Sequence, residues 1–167
     1  MMADAGLRVR ELISLEDRDV TDDYIFVRRG KGKKQRMVYC SPTVAKEVLR
    51  YKRVRDAYFE SKGIPVNGMM FRNRDGGYLK SDGVQKMLKR LKAKVTVRAE
   101  VRVSPHTFRH YFAQSQLRNG CDILTLSKLL GHSSLNTTQV YLRGLADEEL
   151  VQSAISTSPL MNIRKRH

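Results

Sequence analysis

The sequence predicts a mainly α-helical domain with one small antiparallel β-hairpin near its N-terminus. Apolar residues recur at three- and four-residue spacing along most of the chain. Two short runs rich in β-branched and aromatic residues, Tyr24-Ile25-Phe26-Val27 and Met37-Val38-Tyr39-Cys40, flank the basic connection Arg29-Gly30-Lys31-Gly32-Lys33-Lys34. Ser-Pro pairs at 41–42 and 104–105 have the form of an N-cap followed by a proline at the first helical position.

Taken in order, Leu7 to Leu15 reads as a short helix with Val9, Leu12 and Ile13 on one face. The hairpin follows. A helix opening at Ser41-Pro42 runs to about Lys62, where Gly63 and Pro65 stop it. Met69 to Arg72 is a short apolar piece before an Asp75-Gly76-Gly77 turn. Ser81 is placed to cap a helix reaching Val97, and a basic, β-prone stretch then ends at Val103. The helix after Ser104-Pro105 carries Phe108, Phe112 and Leu117 and ends at Asn119-Gly120. Asp122 caps the next through Leu130, with Gly131 behind it, and Ser134 starts another through Tyr141 to Arg143. Ala146 to Ser156 reads as a last helix, striped by Leu150, Val151, Ala154 and Ile155 and ended by Pro159. There is no internal repeat and no low-complexity tract.

Composition narrows the function. The 167 residues carry 32 Lys plus Arg against 17 Asp plus Glu, a formal charge of +15. An excess of that size points to a polyanionic partner, a nucleic acid before an anionic membrane. No apolar run is long enough to span a bilayer, and no basic start leads into an apolar stretch as in a secretory signal. Cys40 and Cys121 are the only cysteines, too few for a disulfide framework or a cysteine-rich zinc site, and they fit a reducing cytoplasm.

Several positions carry chemistry. His106 falls at the second helical position after Ser104-Pro105, where amides are free and the helix dipole favours an anion. Arg109 lies one turn on, so the two can clamp a phosphate, although such a pair is as often ordinary surface or core. His106 and His110 have the i, i+4 spacing of a zinc helix, but position 107 is Thr where the base would be Glu. His110 reads as a packed or hydrogen-bonded residue. His132 sits in a turn after Gly131, as a capping residue or a ligand. Tyr141, nine residues later, taken alone reads as core. Lys31 is presented at the hairpin tip, as tips in any basic protein are. Arg8 stands at a helix start, where a cation is unfavourable next to the dipole, and Arg10 is its rival.

In combination these segments are specific. Gly-Leu-Arg-Val-x-Glu-Leu (6–12), Gly-Lys-Gly-x-Lys-x-Arg (30–36), His-x-x-Arg-His (106–110), Leu-Gly-His-Ser-Ser (130–134) and Thr-Thr-Gln-Val-Tyr (137–141) closely resemble the catalytic domain of tyrosine recombinases, the phage-integrase family. The resemblance covers nearly the whole chain. It implies the catalytic-domain fold over 1–158, partial at its N-terminus, with a basic tail at 159–167. It implies that Tyr141 is the nucleophile forming a 3′-phosphotyrosyl bond with DNA. Arg8 and Arg109 would hold the scissile phosphate. His106 and His132 would contact it, with His106 also assisting proton transfer. Lys31 would protonate the leaving 5′ oxygen, and Glu11 would support Arg8. It further implies no cofactor or metal, double-stranded DNA as the partner, a homotetramer on synapsed DNA that is a monomer free in solution, and a cytoplasmic, nucleoid-associated protein of bacterial, phage or mobile-element origin. The family's N-terminal DNA-clamping domain and the first helices of the catalytic core are expected to be absent. Arg10 stands where the family often has a small polar residue and reads as solvated or DNA-facing. Asp147-Glu148-Glu149 belong either to a solvated face or to a tail docking on a neighbouring subunit. Two other readings stay open: a non-catalytic DNA-binding remnant or regulator, and a type IB topoisomerase-like enzyme.

Overall fold

The computed structural model describes residues 1–28, 35–65, 67–98 and 100–142. These fall into two compact units, Met1–Phe112 and the residues from Ala113 on. The architecture is mainly helical with one two-stranded antiparallel sheet, as the sequence predicts.

The first unit begins with a helix the sequence did not suggest, α1 (Met2–Ala5). Gly6, at φ 61°, turns the chain out of it. The predicted helix 7–15 is shorter than expected: α2 spans Val9–Ile13, with Arg8 at its N-cap. It ends because the Ser14 and Leu15 amides close onto Glu11 and Leu12 carbonyls (both 3.2 Å), tightening the last turn. Strands β1 (Tyr24–Val27) and β2 (Arg36–Tyr39) pair in register from Tyr24 opposite Tyr39 to Val27 opposite Arg36. Ile25, Val27 and Val38 face inward and meet Leu7, Leu12 and Leu15 in the core. Burying that face is what fixes the register, because a slip of one residue would turn it to water.

Helix α3 (Pro42–Ser61) starts as the sequence predicts, with Ser41 Oγ accepting the Val44 amide at 3.3 Å. Its buried Arg55 ties it to the chain beside it. The guanidinium donates to both Asp17 carboxylate oxygens (2.7 and 3.0 Å), to Asp56 (2.8 Å) and to the carbonyls of Met69 (3.1 Å) and Met70 (3.0 Å).

Helix α4 (Ser81–Lys94) departs from expectation at both ends. Ser81 is its first helical residue and caps nothing; Lys80 occupies the cap position. The helix stops three residues before Val97, where Val95 turns extended (φ −124°, ψ 148°) at the head of the β-branched run Val95-Thr96-Val97. The β-prone stretch up to Val103 forms no strand among the described residues, because the sheet consists of β1 and β2 alone and offers it no partner. Helix α5 (Pro105–Arg118) opens with Ser104 Oγ accepting the Thr107 amide at 3.2 Å.

In the second unit α6 (Ile123–Leu130) is capped by Asp122, whose carboxylate accepts the Thr125 amide at 2.9 Å. Gly131 ends it at φ 62°. There the Gly131 amide bonds Lys128 O and the His132 amide bonds Ser127 O (both 3.0 Å), a Schellman closure that needs the left-handed residue. The following helix is much shorter than predicted: α7 covers Asn136–Gln139 instead of starting at Ser134. Tyr141 lies in the turn after it, not within a helix. The β-branched Thr137, Thr138 and Val140 make a poor helix. Arg143, the helix expected over 146–156 and the tail at 159–167 lie outside the described residues. No helix among the described residues is long and apolar enough to cross a membrane.

Candidate active site

In the first unit, the turn Gly6-Leu7-Arg8 gathers the cationic groups. Leu7 is fully buried, which pins the turn to the core. Arg109, 6% exposed on α5, donates from Nη1 to the Gly6 carbonyl two residues before Arg8. A glycine is required at position 6: φ is positive, and a Cβ there would collide with the Phe112 ring. α5 thereby carries both the arginine that bonds Gly6 and the ring that packs on it.

Arg8 is held by Glu11. Glu11 Oε2 accepts the Arg8 amide and Oε1 accepts Arg8 Nη1, both at 2.8 Å. A second arginine shares the carboxylate. Arg36 Nη1 and Nη2 reach Oε1 and Oε2 at 2.9 and 2.8 Å, a bidentate fork. Glu11 is 2% exposed. Burial alone would raise its pKa, but the two guanidinium partners and the Arg8 amide outweigh it and hold the carboxyl at about 2. One negative charge between two positive ones leaves Arg8 fixed in place with net positive charge still around it.

His106, exposed at the second position of α5, lines a groove of about 780 Å³ together with Val9, the residue after Arg8. The wall contributed by α4 is basic, with Lys86, Lys89 and Lys92, and Arg102 adds to it. His110 is half-buried, its ring 6.4 Å from that of His106. Among the described residues no group of three or more His, Cys, Asp or Glu side chains could hold a metal ion.

The second unit holds the other two candidates. His132 Nδ1 lies 2.8 Å from Thr138 Oγ1. Its ring stacks on that of Tyr141 with centroids 6.3 Å apart and planes 9° from parallel. Tyr141 is 7% exposed, and its amide bonds Thr138 O at 3.0 Å. Thus within the first unit Arg109 is tied to the turn that carries Arg8 while His106 lines the groove beside Val9, and His132 and Tyr141 meet within the second. Lys31 lies outside the described residues. Arg10 is exposed, as its reading as a solvated charge requires.

Two participants carry roles that sequence reasoning did not assign, Arg36 and Thr138. Arg36 had a usable signal. In β2 the inward positions are 36 and 38, so a strand of period two places an arginine on the apolar face, where it needs a carboxylate. Thr138 had none.

The profile of the phage integrase family matches residues 1–148. The chain belongs to this family. Curated relatives include the tyrosine recombinase XerC of Halalkalibacterium halodurans, 38% identical over 82% of this chain and 46% of the relative. The tyrosine recombinase XerA of Thermococcus kodakarensis is 41% identical over 83% of this chain and 47% of the relative. The chain therefore spans about half the length of the curated relatives it matches. Among solved structures, a XerA recombinase superposes with a TM-score of 0.77 at 32% identity, over 95% of this chain and 56% of that one. A XerH site-specific recombinase in a post-cleavage complex with a palindromic difH substrate gives 0.72 at 25% identity, over 92% of this chain and 43% of that one. These neighbours bear out the tyrosine recombinase catalytic-domain fold expected for this integrase-family chain.

Proposed function

We propose that this chain is the catalytic part of a site-specific DNA recombinase that cuts and rejoins DNA through a 3′-phosphotyrosyl intermediate at Tyr141. The observation that carries the reading is the convergence of Arg8 and Arg109 on one turn, Arg109 through its bond to Gly6 O, beside a basic groove lined by His106. XerH, at 25% identity, is a site-specific recombinase bound to its palindromic difH substrate in a post-cleavage complex, which supports a recombination substrate here.

The chemistry follows from the residues. Tyr141 Oη attacks the phosphorus, the bond from phosphorus to the 5′ oxygen breaks, and that oxygen takes a proton. Charge gathers on the nonbridging oxygens, so fixed cations are the main source of rate. Arg8 and Arg109 supply them in a form that never deprotonates. His106 and His132 donate to the same oxygens. A phenol with a pKa near 10 attacks only as its proton leaves, and His106 assists that transfer. Lys31 protonates the leaving oxygen. The phosphotyrosine bond conserves the energy of the phosphodiester, so the free 5′ hydroxyl reverses the step without ATP or a metal. The working assembly implied by the family resemblance is four copies on two duplexes.

The test is cleavage polarity. The chain is incubated with a randomised duplex pool carrying 5′-bridging phosphorothiolates, whose leaving group needs no acid, and the products are run on a denaturing gel. Attachment to the 3′ side, leaving a free 5′ thiol, supports the reading. Attachment to the 5′ side overturns it. Salt-sensitive binding with no adduct, from this chain and from a longer natural form alike, assigns non-catalytic DNA binding. Relaxation of supercoiled DNA regardless of sequence assigns type IB topoisomerase chemistry.

A further inference from the structure

Thr138 stands between His132 and Tyr141 in space as well as in sequence. It is fully buried, at 0% exposure. Its Oγ1 lies 2.8 Å from His132 Nδ1, and its carbonyl accepts the Tyr141 amide at 3.0 Å. The His132 backbone is fixed separately, by its amide bond to Ser127 O after the left-handed Gly131. The His132 ring is thus located by Thr138, within 9° of the plane of Tyr141.

A neutral imidazole carries one N–H, and the hydrogen bond made by one nitrogen decides which nitrogen has it. A threonine hydroxyl can donate or accept. Two considerations select donation. A buried hydroxyl proton needs an acceptor, and among the described residues Nδ1 is the one within reach. Accepting from Nδ1–H would leave Nε2 as a bare lone pair, which repels a phosphate oxygen.

We propose that Thr138 is a positioning residue for His132: its hydroxyl donates to Nδ1, places the ring proton on Nε2, and holds the ring parallel to Tyr141 so that Nε2–H is a ready donor to the phosphate oxygen. The inference rests on the recombinase reading of His132 given above. It explains how a histidine donates to phosphate without first taking up a proton. Thr138 therefore serves two residues at once, orienting the imidazole with its side chain and the turn that carries Tyr141 with its carbonyl.

The experiment is nitrogen-resolved NMR of the ¹⁵N-histidine-labelled chain at a pH where the ring is neutral, with His132 assigned from a His132→Gln variant. Thr138→Val keeps the shape and removes the hydroxyl; Thr138→Ser keeps the hydroxyl. The expected result is Nδ1 unprotonated and Nε2 protonated in the wild type and Thr138→Ser, and a tautomer mixture in Thr138→Val. Capture of the phosphorothiolate duplex pool is expected to slow by roughly tenfold in Thr138→Val, the rate equivalent of one hydrogen bond, and to recover in Thr138→Ser with DNA binding unchanged. A proton on Nδ1 in the wild type overturns the proposal, whether or not the variants fold. So does an unaltered tautomer with an unaltered capture rate in Thr138→Val. If His132→Gln captures DNA at the wild-type rate, the recombinase reading of His132 has failed. If it is slow while Thr138→Val is not, only the role of Thr138 has failed.

Discussion

Replacing Glu11 with Gln tests how Arg8 is held. The Glu11 carboxyl sits at about 2 in the folded chain against 4.5 for an unperturbed glutamate. At roughly 1.4 kcal/mol for each tenfold step in proton affinity, that difference is worth about 3 kcal/mol of folding stability. The side chain is 2% exposed, so solvent screening removes little of it. The folded pKa is depressed, so this stability is fully present above pH 4.5 and is lost as the pH falls toward 2. Glutamine does not titrate, and its amide turns donors toward the Arg8 and Arg36 guanidinium groups. Urea unfolding of both proteins from about pH 7 down to about pH 2 measures the gap between them, and titrations common to both cancel in that gap. The expected gap is about 3 kcal/mol at neutral pH, closing as the pH falls through the window between the two pKa values. A gap that does not change with pH, or none at neutral pH, would refute the reasoning.

Other substitutions probe the frame around the site. Arg55→Ala takes the donor from the Met69 and Met70 carbonyls and the bidentate partner from Asp17, which keeps Lys52 at 3.7 Å, and is expected to cost about 3 kcal/mol in denaturant melts. The pair Arg55→Met with Asp17→Asn should recover part of that loss. Gly6→Ala forces a left-handed alanine against Phe112 and is expected to cost about 2 to 4 kcal/mol, read by thermal melting. Lys89→Ala on the groove wall should weaken binding to mixed-sequence duplex uniformly. It should also lower the slope of log affinity against log salt by about one, measured by fluorescence anisotropy.

Local signals in the sequence specify the starts of α3, α5 and α6. Ser41-Pro42, Ser104-Pro105 and Asp122 each use a side-chain oxygen to satisfy an amide three residues on, a bond decided within one turn. Ser81 has the same residue type and caps nothing, because Lys80 takes the flanking position; residue type alone does not set the phase. The helix ends were less legible where β-branched residues compete, at Val95 and around Thr138. Motif order names the candidate residues, but not the contacts that hold them. Arg36 and Glu11 lie 25 residues apart and meet only in the folded chain. Arg109 and Gly6 are separated by 103 residues, and no pattern in either segment names the other. Nothing in the local sequence marks Arg55, and only tertiary packing brings it to the Met69 and Met70 carbonyls.

The central claim is that Tyr141 is the nucleophile, and the most direct test is to locate the protein–DNA bond. Wild-type chain and Tyr141→Phe are incubated with the 5′-phosphorothiolate duplex pool, digested, and the DNA-linked peptide is identified by mass. The account predicts a nucleotide-bearing peptide whose fragmentation places the bond on Tyr141, and no adduct from Tyr141→Phe although it still binds DNA. A bond on any other residue, or an adduct that survives Tyr141→Phe, would contradict it.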